Sequence, residues 1–263
     1  MRHTVMSIVN VNDDSFSNDG TTNPREAVEI ARRQIADGAD IIDVGAESAR
    51  TNRSAISTAS EADRLCQFLD HWEEAAPLSI NTWRPEVLRQ VLPRGTFTSV
   101  NDISGLPTPE NAELAAEHDC KLVIMHTVGQ PKVPHTHQTY SDIWGTLLSF
   151  FEERVTLALK AGLKRESIIL DPGIDFAKQT QDNLQIYKHL SRLDQFALPV
   201  LVPVSRKTVI GNVLGLSNPE DRDAGTLACI SMTSDAGERI YRVHNTRAAV
   251  SSLLTLASFR TKD

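Results

Sequence analysis

The amino-acid sequence predicts an α/β protein, a single (β/α)8 barrel spanning residues 1–263. Two observations lead to this prediction. Short, strongly apolar segments with the composition of buried strands recur along the chain, and most of them are followed by a helical pattern. No linker rich in Pro, Gly or Ser divides them. An open doubly wound sheet is the alternative, but no G-x-G-x-x-G motif follows the first strand.

The clearest of these segments is Ile168-Ile169-Leu170, which ends abruptly at Asp171. Three consecutive large apolar residues are typical of a strand buried on both faces. Pro172 and Gly173 then end the strand in a turn. A carboxylate is therefore expected at the C-terminal end of a buried strand, which is where α/β proteins bind ligands.

Seven further segments complete the predicted barrel. These strands are expected at Val5–Val11, Ile41–Val44, Leu78–Asn81, Phe97–Asp102, Leu122–His126, Pro199–Val204 and Ile240–His244. A first helix is expected to begin at Asn23-Pro24, because an N-cap residue precedes a proline in the first turn, and to end at Gly38. A last helix is expected from about Thr246 to Phe259.

Composition and charge exclude several classes of protein. The net charge of −7 argues against nucleic acid as a partner. Cys66, Cys120 and Cys229 form no CxxC pair, so we expect reduced thiols and neither a disulfide framework nor a zinc site. No apolar segment has the length of a signal peptide core or a membrane span, and we therefore expect a cytoplasmic protein that does not bind membranes.

Polar side chains stand at the predicted ends of the strands, which converge on one face of a barrel. They are Asn10, Asp43, Asn81, Asn101, His126, Asp171, Ser205 with Lys207, and Arg242 with His244. One group, Asn81, Asn101 and Asp171, suits a flat polar heterocycle, because Asp171 can accept two parallel N–H bonds. The cationic or titratable group, Lys207, Arg242, His244 and Arg50, suits phosphate or carboxylate. One ligand with a heterocyclic head and an anionic tail would satisfy both groups.

Some of these residues also have purely structural interpretations. Asp43 is equally consistent with a polar group satisfied inside the barrel, and His126 with a core histidine. His135 and His137 lie on a Pro-containing loop without a nearby acid, which favours a solvated loop over a metal site. Ser205-Arg206-Lys207 is harder to explain structurally, because a buried strand that ends in two cations needs an anion nearby.

Seven short motifs, in one order along nearly the whole chain, resemble those of the dihydropteroate synthases, a family of pterin-binding TIM barrels. The motifs are Ile8-Val9-Asn10-Val11-Asn12-Asp13-Asp14-Ser15-Phe16-Ser17, Ile41-Ile42-Asp43-Val44-Gly45-Ala46-Glu47-Ser48, Asn101-Asp102-Ile103, Met125-His126, Leu170-Asp171-Pro172-Gly173, Ser205-Arg206-Lys207 and Arg242-Val243-His244. No single tripeptide is specific, whereas the ordered series is.

The resemblance implies an enzyme of folate biosynthesis, expected as a homodimer, that uses Mg²⁺. It would condense 6-hydroxymethyl-7,8-dihydropterin pyrophosphate with p-aminobenzoate to give 7,8-dihydropteroate and pyrophosphate. The implied catalytic residues are Lys207, Arg242 and His244, with Arg242 and His244 on the pyrophosphate and Lys207 at the pterin. The implied ligand contacts are Asn10 for Mg²⁺, Asn81, Asn101 and Asp171 for the pterin, Ser205, Phe16 and Phe176 for the p-aminobenzoate, and Ala49 and Arg50 as further substrate contacts. In the implied chemistry the pyrophosphate leaves first, and the arylamine attacks the resulting pterin cation without an enzymic nucleophile.

The sequence departs from the family pattern at five places. In the first loop, Asn12-Asp13 replaces Thr-Pro, and in the second loop Ala49 replaces Thr and Thr51 replaces Pro. Asn81 and Asn245 each replace an aspartate, and Ile174-Asp175-Phe176-Ala177 replaces a turn richer in glycine. The change at Asn81 removes a charged hydrogen bond worth roughly 1.5–3 kcal/mol. The changes in the second loop predict an altered response to sulfonamides, which mimic aminobenzoate.

Three hypotheses follow. The first is a working dihydropteroate synthase. The second is a non-catalytic or altered-substrate paralogue that binds pterin. The third is a methyltetrahydrofolate methyltransferase-type pterin barrel, against which Ser205-Arg206-Lys207 and Arg242-Val243-His244 argue, because no leaving pyrophosphate would need them.

Overall fold

A computed structural model of the chain describes residues 3–12, 20–49, 51–135, 137–235 and 237–260. Phe16 and Arg50, two of the predicted ligand-binding residues, lie outside the described residues, as does Asp13 of the first loop. The other predicted site residues are all described.

The strands form a closed barrel in which every neighbouring pair is parallel, from β1 round to β8. They are β1 (Thr4–Asn10), β2 (Ile41–Gly45), β3 (Leu78–Asn81), β4 (Phe97–Asp102), β5 (Lys121–Met125), β6 (Ile168–Asp171), β7 (Val200–Val202) and β8 (Arg239–Val243). The predicted (β/α)8 barrel is confirmed. The strand boundaries lie within two residues of the predicted ones, the seventh strand being shorter at its C-terminal end.

Helices follow the strands and surround the barrel, as the handedness of parallel crossovers requires. Within the described residues they are α1 (Pro24–Ala36), α2 (Thr58–Leu69), α3 (Pro85–Val91), α4 (Glu110–Glu117), α5 (Ile143–Lys160), α6 (Thr180–Lys188), α7 (Thr208–Leu214), α8 (Asp223–Thr233) and α9 (Thr246–Arg260). The predicted start of the first helix is confirmed, because the Asn23 side chain accepts hydrogen bonds from the backbone N–H groups of Arg25 and Glu26. None of the helices in these residues is long and apolar enough to cross a membrane.

The pattern of β6 explains the three consecutive apolar residues that identified it. Ile168 and Leu170 belong to the large core between the strands and the helices. Ile169 points the other way, into a small apolar cluster with Met6, Val123, Leu201 and Ile240. Because this cluster fills the interior of the barrel, the polar side chains at the carboxyl ends of the strands are left at one rim.

Candidate active site

Asp43 lies at the centre of the polar residues at this rim. Its side chain is fully buried. Its Oδ2 atom accepts hydrogen bonds from Nδ2 of Asn81 at 3.2 Å, from Nδ2 of Asn101 at 3.0 Å and from Nε of Arg242 at 2.7 Å. The barrel therefore brings together three of the predicted site residues, from β3, β4 and β8, on one carboxylate oxygen of β2.

Gly45 makes this close arrangement possible. It pairs with Asn10 on β1 and with Asn81 on β3. A Cβ atom at Gly45 would lie 3.1 Å from the Cβ atom of Asn81, which is tighter than ordinary packing. Gly45 thus lies between Asn10 and Asn81, and Asn10 is partly exposed at the rim.

Asp171 is buried at the end of β6, where its Oδ1 atom accepts a hydrogen bond from the backbone N–H of Gly173 at 2.7 Å. Burial raises the pKa of Asp171 to about 6, against the lowering effects of that hydrogen bond and of Lys207, Lys178 and Arg242. The turn requires glycine at position 173, because φ is +66° and a Cβ atom would lie 2.0 Å from the carbonyl oxygen of His126.

Lys207 extends under the loop that follows Asp171. Its Nζ atom donates to the carbonyl of Ile174 at 3.1 Å and lies 5.1 Å from the centre of the Phe176 ring. Burial lowers the pKa of Lys207, and Asp175 and Asp171 oppose the effect. The structure thus pairs two predicted ligand-binding residues, Lys207 and Phe176, in a cation–π contact.

The neighbouring cation of the Ser-Arg-Lys motif has a different role. Arg206 forms a two-point ion pair with Asp223, with Nε–Oδ1 at 2.8 Å and Nη2–Oδ2 at 3.2 Å. Asn245 donates to the same carboxylate from Nδ2 at 2.8 Å. The anion predicted near Arg206 is therefore a carboxylate of the protein itself, Asp223 on α8.

Ser205 and His244 meet at the ends of β7 and β8. The Ser205 hydroxyl lies 2.8 Å from Nδ1 of His244 and accepts a hydrogen bond from the His244 backbone N–H at 3.1 Å. This contact holds the imidazole through its Nδ1 atom. The pair links the predicted aminobenzoate contact to the predicted pyrophosphate contact.

Lys178 is a buried residue of the site that sequence reasoning missed. Its Nζ atom lies 2.8 Å from Nδ1 of His126, 3.2 Å from the His126 carbonyl and 3.0 Å from the Phe176 carbonyl. Burial lowers the pKa of Lys178 to about 7, and burial with the Lys178 charge lowers the pKa of His126 to about 3. The His126 ring also contacts the Phe150 ring edge-on, with ring centres 4.8 Å apart. Of the two interpretations that the sequence left open for His126, these contacts favour the core histidine over the ligand contact.

The loop after β2, which carries Ala49, is anchored by a second missed cluster. The Glu47 carboxylate, buried in this loop, pairs with Arg84 from the loop after β3 and with Lys132 at 3.3 Å from the loop after β5. Lys132 also donates to the carbonyl of Ser48 at 3.0 Å, next to Ala49. Glu61 on α2 shares Arg84, and burial raises the pKa of Glu61. Loop lysines have no periodic sequence signal, which is why the pattern analysis passed over both Lys132 and Lys178.

The oxygen atoms at the rim suit a Mg²⁺ ion whose ligands come mainly from the substrate phosphates and water. In the described part of the chain no three His, Cys, Asp or Glu side chains cluster as a metal site would need. Mg²⁺ usually keeps several waters and takes one or two protein oxygens together with substrate phosphates. The side-chain oxygen of Asn10, partly exposed at the end of β1, suits such a site.

Comparison with known proteins agrees with this arrangement. Residues 6–244 match the model of a family described as pterin binding enzyme. Over 93% of this chain and 86% of its own length, the dihydropteroate synthase of Synechocystis is 38% identical. The chain belongs to the dihydropteroate synthase family.

Solved structures of this family superpose on nearly the whole barrel. A Yersinia pestis dihydropteroate synthase with a sulfonamide drug complex is 33% identical and has a TM-score of 0.93, covering 99% of this chain and 95% of its own. The Xanthomonas albilineans dihydropteroate synthase with 4-aminobenzoic acid is also 33% identical, with a TM-score of 0.90, covering 100% of this chain and 94% of its own. The same enzyme in complex with 7,8-dihydropteroate has a TM-score of 0.87.

Proposed function

We propose that this protein is a working dihydropteroate synthase. It condenses 6-hydroxymethyl-7,8-dihydropterin pyrophosphate with p-aminobenzoate, and the products are 7,8-dihydropteroate and pyrophosphate. One observation carries the proposal: Asn81 and Asn101, which suit a heterocycle, and Arg242, which suits a phosphate, meet on the same oxygen of Asp43. The two halves of a ligand with a heterocyclic head and an anionic tail would therefore bind side by side.

The pterin ring would bind at the ends of β3, β4 and β6. Asp171, buried and ionised above about pH 6, would accept N–H bonds from one edge of the ring. Asn81 and Asn101 would face the ring from the opposite side of the rim. Lys207 would reach it from under the β6 loop, where Asp171 and Asp175 partly neutralise its charge.

The reacting end of the substrate would lie toward β7, β8 and β1. The bond between the pterin methylene carbon and the pyrophosphate oxygen breaks, and Arg242 and His244 would hold the leaving anion. The arylamine nitrogen then bonds to the methylene carbon and loses a proton. Asn10 would hold a Mg²⁺ ion, which would supply positive charge for stabilising the departing pyrophosphate.

The p-aminobenzoate would lie where the loops meet above the rim. Ser205, fixed against His244, and Phe176, fixed against Lys207, are the described contacts for it. Ala49 stands in the β2 loop that Glu47 and Lys132 anchor. Phe16 and Arg50, which lie outside the described residues, complete the proposed set.

The test is pyrophosphate release by the purified protein given the pterin pyrophosphate, with and without p-aminobenzoate and Mg²⁺. Release that depends on both, with 7,8-dihydropteroate formed, is the expected result. Calorimetric binding of the pterin substrate without turnover would instead identify a non-catalytic paralogue. Absence of binding would mean that the site takes another ligand.

A sulfonamide response follows from the same proposal. Because sulfonamides mimic aminobenzoate, the small Ala49 side chain and the threonine in place of proline at position 51 should change inhibition by sulfamethoxazole relative to the family pattern. The double revertant Ala49→Thr/Thr51→Pro is expected to shift the inhibition constant several-fold, measured in the condensation assay. Equal inhibition of the two proteins would remove this idea.

A further inference from the structure

Asp43 is fully buried at the rim, yet the proposed reaction does not assign it a substrate contact. We infer that Asp43 is a positioning residue, whose single oxygen Oδ2 orients the pterin-binding amides and the pyrophosphate-binding guanidinium as one unit. This inference rests on the proposed function and adds a residue that acts through Asn81, Asn101 and Arg242.

Asp43 fixes the orientation of the two amides, Asn81 and Asn101. An ionised carboxylate can only accept hydrogen bonds, so Asn81 and Asn101 must both turn their NH₂ groups toward Asp43. Their side-chain oxygens are thereby directed elsewhere. Among the described residues, the Oδ1 atom of Asn101 is buried and has no hydrogen-bond partner. Such an oxygen needs a donor, and an N–H group of a bound heterocycle would supply one.

Asp43 also fixes the guanidinium group of Arg242. Its Nε atom makes the shortest of the three hydrogen bonds to Asp43, at 2.7 Å. A bond at Nε fixes the plane of the guanidinium, so that its Nη groups would be the ones to meet a phosphate. Asp43 itself comes from β2 and Arg242 from β8, on either side of β1. The ion pair with Asp43 therefore holds Arg242, the proposed pyrophosphate-binding residue, next to Asn81 and Asn101.

A nearby carboxylate shows what a purely structural aspartate looks like in this barrel. Asp102, at the end of β4, is as buried as Asp43. Its Oδ1 accepts from the Ser104 backbone N–H at 2.7 Å, and its Oδ2 accepts from Nδ2 of Asn111 at 2.9 Å. Both Asp102 oxygens thus accept hydrogen bonds from the following loop and from α4. Asp43 instead places three ligand-facing side chains on one oxygen, while its Oδ1 has no partner within the described residues.

The test compares Asp43→Asn with the matched control Asp102→Asn. The first readout needs no ligand: the Nε–H signal of Arg242 in a nitrogen-correlated NMR spectrum. If Arg242 Nε–H is strongly hydrogen-bonded to Asp43, its signal should exchange slowly in the unaltered protein and in Asp102→Asn. The slowly exchanging signal should be lost in Asp43→Asn. A signal that is unchanged in Asp43→Asn would overturn the positioning role.

The second readout is calorimetric binding of the pterin pyrophosphate and of inorganic pyrophosphate alone. We expect Asp43→Asn to weaken the binding of both ligands, each by on the order of tenfold, because the two amides and the guanidinium lose their orientation. We expect Asp102→Asn to lower thermal stability with both affinities retained. Wild-type affinities in a folded Asp43→Asn protein would overturn the inference.

A second variant covers the case in which Asp43→Asn does not fold. Asp43→Glu keeps the charge but moves it by one methylene, so it should retain the Arg242 signal and lose part of both affinities. Unchanged affinities in Asp43→Glu would overturn the inference as well. If the unaltered protein binds no pterin pyrophosphate, the proposed function fails, and the ligand-free Arg242 signal still decides whether Asp43 positions the guanidinium.

Discussion

At Asp171, burial and hydrogen bonding act in opposite directions on one carboxyl group. Burial raises its pKa to about 6, although the Gly173 N–H and three nearby cations favour the ionised form. The raised pKa means that ionised Asp171 costs stability: the cost is absent below the unfolded-state pKa and fully present above about pH 6. A bound heterocycle that donates N–H groups would offset that cost.

Asp171→Asn tests this function of the carboxylate. In the unaltered protein, pterin affinity should fall as the pH decreases below about 6, because protonated Asp171 accepts N–H bonds poorly. The variant should bind the pterin pyrophosphate on the order of 10–100 times more weakly at pH 8 and lose this pH dependence. Calorimetry from pH 5 to 8 is the measurement. Identical profiles for the two proteins would show that Asp171 does not hold the pterin.

Asn81→Asp tests the departure from the family pattern. The introduced carboxyl group would lie against Oδ2 of Asp43, where Asn81 now donates a hydrogen bond at 3.2 Å. Repulsion would raise the pKa of that group, so stability should fall as pH rises through it, by on the order of 1–2 kcal/mol after the offset from Arg242. Thermal unfolding from pH 8 down to pH 4 should reveal a loss of stability that is largest at pH 8 and becomes small near pH 4. Asp43→Asn/Asn81→Asp is the control and should show little pH-dependent loss.

At the scale of strands, helices and loops, the strand ends could be predicted and the loop contacts could not. Buried parallel strands leave a local apolar signature, and barrel closure then places their ends together, which is why Asn81 and Arg242 could be grouped from sequence. Lys178 reaches His126 across 52 positions, and Lys132 reaches Ser48 across 84. Both lysines lie in loops, where no periodicity indicates which way a side chain points.

The Lys132 anchor leads to a prediction about the β2 loop. Lys132→Met removes the contacts to Glu47 and to the Ser48 carbonyl. The loop around Ala49 should then be less ordered, raising KM for p-aminobenzoate several-fold with a smaller effect on KM for the pterin substrate. Steady-state kinetics with each substrate varied would measure this.

The matched control is Lys164→Met. Lys164 forms an ion pair of similar length, 3.2 Å, with Asp119, but both side chains are exposed. Such surface pairs contribute little, and both KM values should be unchanged. Equal effects of the two variants would show that the Lys132 anchor does not organise the site.

At the scale of the whole molecule, charge and apolar surface are both unevenly distributed. The chain carries a net charge of −7, yet Lys207, Arg242 and Lys178 gather at the carboxyl end of the barrel. Asp43 compensates Arg242 directly, and Asp171 and Asp175 lie near both lysines. Large apolar side chains are exposed on the neighbouring helices α7, α8 and α9, including Leu254 and Phe259. Apolar surface of this kind suits an interface between subunits.

We therefore predict a homodimer formed through α7–α9. Leu254→Asp/Phe259→Asp should shift the protein to a monomer, because charges would be buried in the interface. Light scattering coupled to gel filtration is the measurement. Leu159→Asp, an exposed leucine on α5, is the control and should remain dimeric. A monomeric unaltered protein, or a dimer that survives the double change, would contradict the prediction.

The pairing of Asp43 with Arg242 also bears on the order in which the chain can fold during synthesis. The two residues are 199 positions apart, so the carboxylate emerges from the ribosome long before its guanidinium. Until β8 is made, burying Asp43 would leave a charge without its partner inside the barrel. We therefore expect an incomplete chain to gain little by closing early, so that the active site and the closed barrel would form in the same step.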